Sequence, residues 1–468
     1  MRTRRFRHAA LRTRATPVAA GSLLALALLS GCGGTSTPSD STSSQSATRS
    51  SQSSALVPVG SGAASRQLEW VVTALNRGSN PGAAEIAKHF SPAFLKVVSP
   101  TQLVAALTPL ARQGLTVAGA FSREGDLELA AELTGYGGVR FRATISVAPV
   151  SPNLIEGLLF TPIAGAIATW SAVDAALERL APHASLYAGY AGGGEVHALN
   201  ATAPGAIGSA FKLYVLGALA NAVAHGSLHW TSELAIRNSW KSLPSGNMRL
   251  EPAGTRFTLL HYAQQMISLS DNTAADHLIG LLGRGAVEAQ LAALGNRHAA
   301  LDLPFLTTRE LFALKLAAPA SLATEYASAG SAERTRLLAQ VDRLTPTLAQ
   351  AAHWTTPREI SKIEWFASPA DLARAIAALV DEGSRPGLAP LRQILSINPG
   401  IAFDHATWPY VAYKGGSEPG VLSTTWYLRR SDGRAFVLSI VLNDPAQAIS
   451  TLAEVEVAQA AAELLAKA

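Results

Sequence analysis

Charge and sulfur are scarce in this chain. Of its 468 residues only 15% are Asp, Glu, Lys or Arg, and it has a single cysteine. That cysteine, Cys32, leaves no internal disulfide, no zinc ribbon and no redox Cys-x-x-Cys pair. His-Glu-x-x-His and His-x-His-x-Asp are absent, so neither a zinc peptidase nor a zinc lactamase is expected, and no metal or other cofactor is called for. His225 and His229 are four apart but straddle Gly226 without a third ligand, as surface histidines do. No internal repeat is visible. Lack of charge is not lack of structure: 48% of the residues are hydrophobic, enough at this length for about two to three packed domains. The net charge of +5 resides in the first 31 residues, where Arg2, Arg4, Arg5, Arg7, Arg12 and Arg14 face no acid. The remainder is close to neutral, which argues against a nucleic-acid partner.

The basic start precedes an apolar run, Val18 to Leu29, too short to span a bilayer and shaped like a secretory signal. It ends Leu29-Ser30-Gly31-Cys32, which resembles the bacterial lipobox, where cleavage precedes a lipidated cysteine. Residues 1–31 are therefore expected to be a signal peptide and Cys32 a lipid anchor to the outer face of the bacterial cell membrane. Thr3-Arg4-Arg5-Phe6 leaves the export route open. From Gly33 to Ser54, 14 of 22 residues are Ser or Thr, so residues 32–65 read as a flexible tether. A flexible chain of that length holds the folded body about 30 Å from the membrane.

Residues 66–162 read as a small α+β domain. Helical patterns (Leu68, Val71, Val72, Leu75; Ile86, Phe90; Gln102 to Arg112) precede strands, of which Val139, Phe141, Ala143, Ile145 and Val147 alternate with polar residues. Turn signals at Arg123-Glu124-Gly125 and Gly135 to Gly138 predict an antiparallel meander packed on helices. This element order resembles the cone-shaped domains of the steroid-isomerase and nuclear-transport-factor type. With His89 its one histidine and no carboxylate cluster, the domain suits scaffolding or ligand binding better than acid/base work.

Residues 163–468 open with a helix (Val173, Ala176, Leu177, Leu180) and a hairpin, Ser185 to Ala191 and Glu195 to Leu199. They close with strands Val421 to Leu428 and Phe436 to Leu442 and a helix from Ile449 to Leu465. One sheet built from both ends, carrying a helical middle, is the expected α/β architecture.

The chemistry begins in Ala206 to Ala224, read as one helix apolar on every face and therefore buried. Lys212 is its only charge, and a desolvated lysine is costly unless paired or neutral. Ser209, one turn earlier, shares its face near the positive end of the helix. A buried lysine of lowered pKa beside a hydroxyl activates a serine without histidine. Arginine could not do so. With 8 lysines against 30 arginines, a lysine here is not incidental.

Further along stand Ser270-Asp271-Asn272-Thr273-Ala274-Ala275 and then Val411-Ala412-Tyr413-Lys414-Gly415-Gly416 at a strand start. Ser-x-x-Lys, Ser-Asp-Asn and a lysine on a late strand, in this order, resemble the penicillin-recognising serine hydrolases, most closely class A β-lactamases. The resemblance implies Ser209 as nucleophile, Lys212 as its base, Ser270 as proton shuttle, and Asn272 as a ligand to Lys212 and substrate. It also implies Lys414 and the adjoining Gly416 as partners of the substrate, and the amides of Ser209 and Ser417 as an oxyanion hole. Trp240 to Gly246 would form a loop over the site, with Ser245 a substrate contact. Trp230, Trp240, Trp365, Trp408 and Trp426 are expected in the core or the pocket wall.

Two departures stand out. The glutamate that class A enzymes use to activate the deacylating water is not found: Asp302-Leu303-Pro304-Phe305 stands near its place, and Glu310, Glu359 and Glu364 read as solvated acids. Gly415 replaces the usual Thr or Ser. The interval from Ser270 to Lys414, 144 residues, is longer than usual, with the excess expected between Leu306 and Ile363. A small domain ahead of such a hydrolase resembles the two-domain β-lactamase-like proteins of clavulanic acid biosynthesis and related actinobacterial lipoproteins. The expectation is a serine hydrolase acting on a small-molecule acyl substrate, a poor β-lactamase with esterase-like activity. A catalytically quiet ligand- or penicillin-binding lipoprotein is the alternative.

Overall fold

The computed structural model describes residues 56–468 apart from 78–80, 98–99, 108–109, 112–113, 137–139, 164–166 and 402. The expected signal peptide, Cys32 and most of the expected tether lie outside the described residues. Its last part departs from expectation. Val57 exchanges backbone hydrogen bonds with Ala120 (3.0 and 2.7 Å), and the first helix starts at Ala63 rather than after residue 65. Leu56-Val57-Pro58-Val59 is an apolar run with a strand to lie against, so these residues belong with the folded domain rather than with the expected tether.

Helices Ala63–Asn76, Ala83–His89, Pro92–Val97 and Pro100–Leu107 precede strands Thr116–Glu124, Glu128–Thr134, Arg140–Val147 and Ile155–Pro162. The strands pair in sequence order, all antiparallel. Phe141, Ala143, Ile145 and Val147 are buried against Leu68, Ile86, Phe90 and Leu103, so the period-2 pattern does mark the face turned to the helices.

In the larger unit the sheet has five antiparallel strands in the order Tyr410–Glu418, Val421–Arg429, Ala435–Asn443, His183–Tyr190, Glu195–Leu199. The strand Ala435–Asn443 lies beside His183–Tyr190, which joins the two ends of the unit as expected. Both faces are covered. Helices Trp170–Leu180 and Thr451–Leu465 pack on one through Val173, Leu177, Val457 and Ala461. The helical middle packs on the other, with Leu213, Tyr262, Leu278 and Ile376 in its core. The extra length after Leu306 folds into helices that include Ala320–Ser328 and Ser331–Val341, seated by Tyr326, Leu337 and Val341.

The helix read from Ala206 starts later. Gly205–Ala206 pairs as a short strand with Phe366–Ala367, and the Ile207 amide donates to Trp365 O (2.9 Å). Gly208 then takes a left-handed φ of +47°, Gly208–Phe211 forms a 3₁₀ turn, and the α-helix runs Lys212–Ala224. The long-range pairing, not helix propensity, sets this start. Ser209 therefore stands on a tight turn against the 410–418 strand, with Lys212 opening the helix behind it.

Candidate active site

Lys212 is wholly buried, and its Nζ donates to Ser209 Oγ (3.1 Å), Ser270 O (2.6 Å), Ser270 Oγ (3.2 Å) and Asn272 Oδ1 (2.6 Å). Burial lowers its pKa to about 7, against the opposing pull of Asp271 and Asp276. The lowered pKa brings the neutral, proton-accepting amine within reach near neutral pH.

Ser270 lies in the sharp connection between helices Leu259–Ser268 and Asn272–Leu282, in the left-handed region at φ +54°. Asp271 makes the connection: one carboxylate oxygen caps the second helix at Ala274 N, and the other accepts from Met248 N (2.8 Å each). Asn272, first in that helix, donates to Leu243 O (2.5 Å) while holding Lys212. Ser245 Oγ donates to Ser270 O (2.7 Å), so the loop containing Ser245 closes on the serine from above.

From the other side comes Lys414. Its Nζ donates to Ser270 Oγ (3.1 Å) and Gly415 O (2.5 Å). Burial, and then the Lys212 charge, push its pKa well below the ordinary lysine value. Ser270 Oγ thus bridges two lysine amines, an arrangement able to pass a proton.

Gly416 faces the 3₁₀ turn, where a Cβ would lie 2.7 Å from Ala210 N and closer still to Ser209 N. A Cβ on Gly208 would in turn lie 3.0 Å from Ser417 N. The amides of Ser209 and Ser417 are accordingly on adjoining backbone segments. All the residues expected from the sequence, Ser209, Lys212, Ser245, Ser270, Asn272, Lys414, Gly416 and Ser417, are brought together. All but Lys212, which lies beneath Ser209, line one cavity of about 240 Å³.

Two carboxylates differ from expectation. Glu310 is buried, not solvated: it pairs with Arg284 (2.6 Å) and accepts from Thr307 N (2.7 Å) and Oγ (2.9 Å), a capping role. Glu364 is also buried. It accepts from Trp365 N (2.9 Å) and faces Lys315 Nζ (3.4 Å), which also binds Glu418. Glu364 and Glu418 both line the cavity, and burial and the Glu364 charge raise the Glu418 pKa well above its ordinary value. Glu359 is exposed as expected, and Asp302 is buried on Phe366 N (2.6 Å), holding the short strand rather than lining the cavity. Glu418 could have been found in the sequence, because residues 414, 416 and 418 alternate onto one face of the strand. Lys315 and Glu364 carried no such signal.

Trp365 stacks on Phe211 at 3.9 Å and lines the cavity, as does Trp354. Trp408 and Trp426 are core residues, whereas Trp230 and Trp240 are half-buried. Among the described residues no cluster of three or more His, Cys, Asp or Glu could hold a metal ion.

Thr308 lines the cavity and is held from behind by Asp276, whose carboxylate accepts Thr308 N (2.7 Å), Thr308 Oγ (2.9 Å) and Arg309 N (2.9 Å). Asp276→Ala strands these buried donors, and a loss of about 2–3 kcal/mol is expected in chemical denaturation. An unchanged midpoint would mean that the 308–309 turn finds other acceptors.

The model of the beta-lactamase enzyme family matches residues 169–468, and that described as the ORF 12 gene product N-terminal matches residues 60–148. A search of curated proteins finds no match. Among solved structures, a β-lactamase from Sphaerobacter thermophilus is 20% identical, covering 64% of this chain and 97% of its own, with a TM-score of 0.46. A β-lactamase from Desulfarculus baarsii is 20% identical, covering 65% and 98%, with a TM-score of 0.45. PBP-A is 16% identical, covering 64% and 97%, with a TM-score of 0.43.

Proposed function

The chain belongs, through residues 169–468, to the beta-lactamase enzyme family of serine acyl-enzyme hydrolases, and from that premise we propose that it acylates Ser209 and hydrolyses small esters in preference to β-lactams. Neutral Lys212 takes the Ser209 proton as Oγ attacks the substrate carbonyl, and the Ser209 and Ser417 amides receive the developing oxyanion. The proton passes through Ser270, between Lys212 and Lys414, to the leaving group. Asn272 holds Lys212 in place. The observation that carries this reading is the buried Lys212 amine bonded at once to Ser209 Oγ, Ser270 Oγ and Asn272.

The preference for esters rests on size and on what surrounds the acyl group. A cavity of about 240 Å³ is small beside the ~300–1,000 Å³ of drug-sized sites. Each carboxylate that lines it is already bound to Lys315, which leaves no free carboxylate there poised for water. Intact-mass measurement after a fluorophosphonate tests the nucleophile: one adduct, mapped to Ser209, is expected. A protein that takes no label from a fluorophosphonate, a penicillin or an activated ester would instead be a quiet receptor.

The same proposal places the protein on the outer face of the membrane through lipidated Cys32. Cys32→Ser is expected to move it from the membrane to the soluble fraction or to block its processing. If the variant stayed anchored and were still cut before residue 32, the lipobox reading would fail.

A further inference from the structure

The cavity carries charge at both ends, and of opposite sign. Of the residues that line it, the charged ones are Lys414, Glu364 and Glu418. Lys414 and Glu418 lie four residues apart on one face of the strand Tyr410–Glu418, about 13 Å along it, with the Ser417 amide between them. At the Lys414 end the Tyr413 ring fills the place of a residue-415 side chain, since a Cβ there would lie 2.8 Å from Tyr413 Cζ. No hydroxyl at 415 therefore supplements the lysine.

At the other end two carboxyl groups share one ammonium. Lys315 Nζ donates to Glu418 Oε1 and faces Glu364 Oε1 (3.4 Å), and the two carboxyl groups lie within hydrogen-bond reach of each other. Arg358 donates to the backbone carbonyl of Lys315 (3.0 Å) and to neither carboxylate. Among the described residues no donor reaches Glu418 Oε2. The Lys315 and Glu364 side chains are fully enclosed, whereas Glu418 keeps 7% of its side chain exposed and forms the open face of the cluster. Burial and the Glu364 charge hold its carboxyl well above the ordinary pKa, as expected of two carboxyl groups with one cation between them. The walls suit a second cation. Phe312, Trp354 and Trp365 line the cavity, and Lys315 Nζ already lies 5.6 Å from the centre of the Trp354 ring.

The strand fixes which half of a substrate reaches this end. With the carbonyl oxygen on the Ser209 and Ser417 amides, the leaving group lies toward Ser270, which Lys414 bonds at 3.1 Å. The acyl chain then extends the other way along the strand, past Ser417 to Glu418. We propose that Glu418, with Glu364 behind it, receives an ammonium group on the acyl half of the substrate, so that the preferred substrates are esters of short amino acids. The incoming cation takes the place of the carboxyl proton, which leaves to solvent. This inference rests on the acyl-enzyme reading above.

The test compares, on the full-length protein, p-nitrophenyl 3-aminopropanoate and p-nitrophenyl butanoate, which differ by an ammonium in place of a methyl. With each kcat/KM divided by that ester's rate of hydrolysis by hydroxide, the wild type should favour the aminoacyl ester by ~10-fold or more, the worth of a hydrogen bond to a charged group. Glu418→Gln should remove that preference, and Glu364→Gln should reduce it. A wild type without the preference, or a folded Glu418→Gln variant that retains it, would overturn the assignment and leave the Ser209 acyl-enzyme standing. Failure of the wild type to form an acyl-enzyme with either ester would overturn both.

Discussion

Ser209→Ala and Lys212→Ala are each expected to lower the rate of acylation by at least ~10³-fold, with the double variant hardly worse than either one. The two side chains act as one unit: a hydroxyl is a weak nucleophile until a neutral amine 3.1 Å away takes its proton. The pH dependence has a definite sign. Only unprotonated Lys212 can accept, so acylation should rise as pH increases through about 7 and level off above it. Lys212→Arg keeps the charge but cannot shed its proton, and it should be as inactive as Lys212→Ala. Far-UV circular dichroism should show each variant folded, because Ser270 and Asn272 remain anchored through Ser245 and Leu243. Intact-mass labelling at a series of pH values makes the measurement. Retained labelling of Ser209→Ala would move the nucleophile elsewhere.

A penicillin that acylates Ser209 should remain attached for minutes or longer, while a short-chain p-nitrophenyl ester turns over slowly but repeatedly. The β-lactam's leaving group stays tethered to the acyl-enzyme and obstructs water in a cavity of about 240 Å³, whereas an ester's alcohol diffuses away. No free carboxylate compensates. Glu364 and Glu418 share Lys315, and Glu418 holds its proton more tightly than an ordinary glutamate. Glu310 is committed to Arg284 and Thr307. Steady-state assays with nitrocefin and the p-nitrophenyl ester decide the matter. A nitrocefin kcat/KM above ~10⁵ M⁻¹s⁻¹ would show that the Glu364–Glu418 pair activates water after all, and the protein would then be an efficient β-lactamase.

What the sequence made legible was local. Ser209 and Lys212 are three apart, Ser270 and Asn272 two apart, so the members of each pair are close in space whatever holds the turn that carries them. The strand alternation at 140–147 and the apolar hairpins at both ends of residues 163–468 were likewise readable, because burial on one face or both leaves a pattern in consecutive residues. Helix start and tether end were misjudged for the converse reason. The Ile207 amide donates to Trp365 O and Val57 exchanges hydrogen bonds with Ala120, partners more than sixty residues away.

The sequence by itself therefore determined the reactive groups: a serine and a lysine that must be buried together, a second serine beside an asparagine, and a third box carrying Lys414. Tertiary structure alone decided how those groups are equipped. It buried Lys212 beneath Ser209, away from bulk solvent, brought Lys315, Glu364 and Glu418 from three distant segments into one buried cluster, and laid Tyr413 over Gly415. Desolvation and long-range ion pairing depend on what surrounds an atom in space, and no spacing along the chain records that.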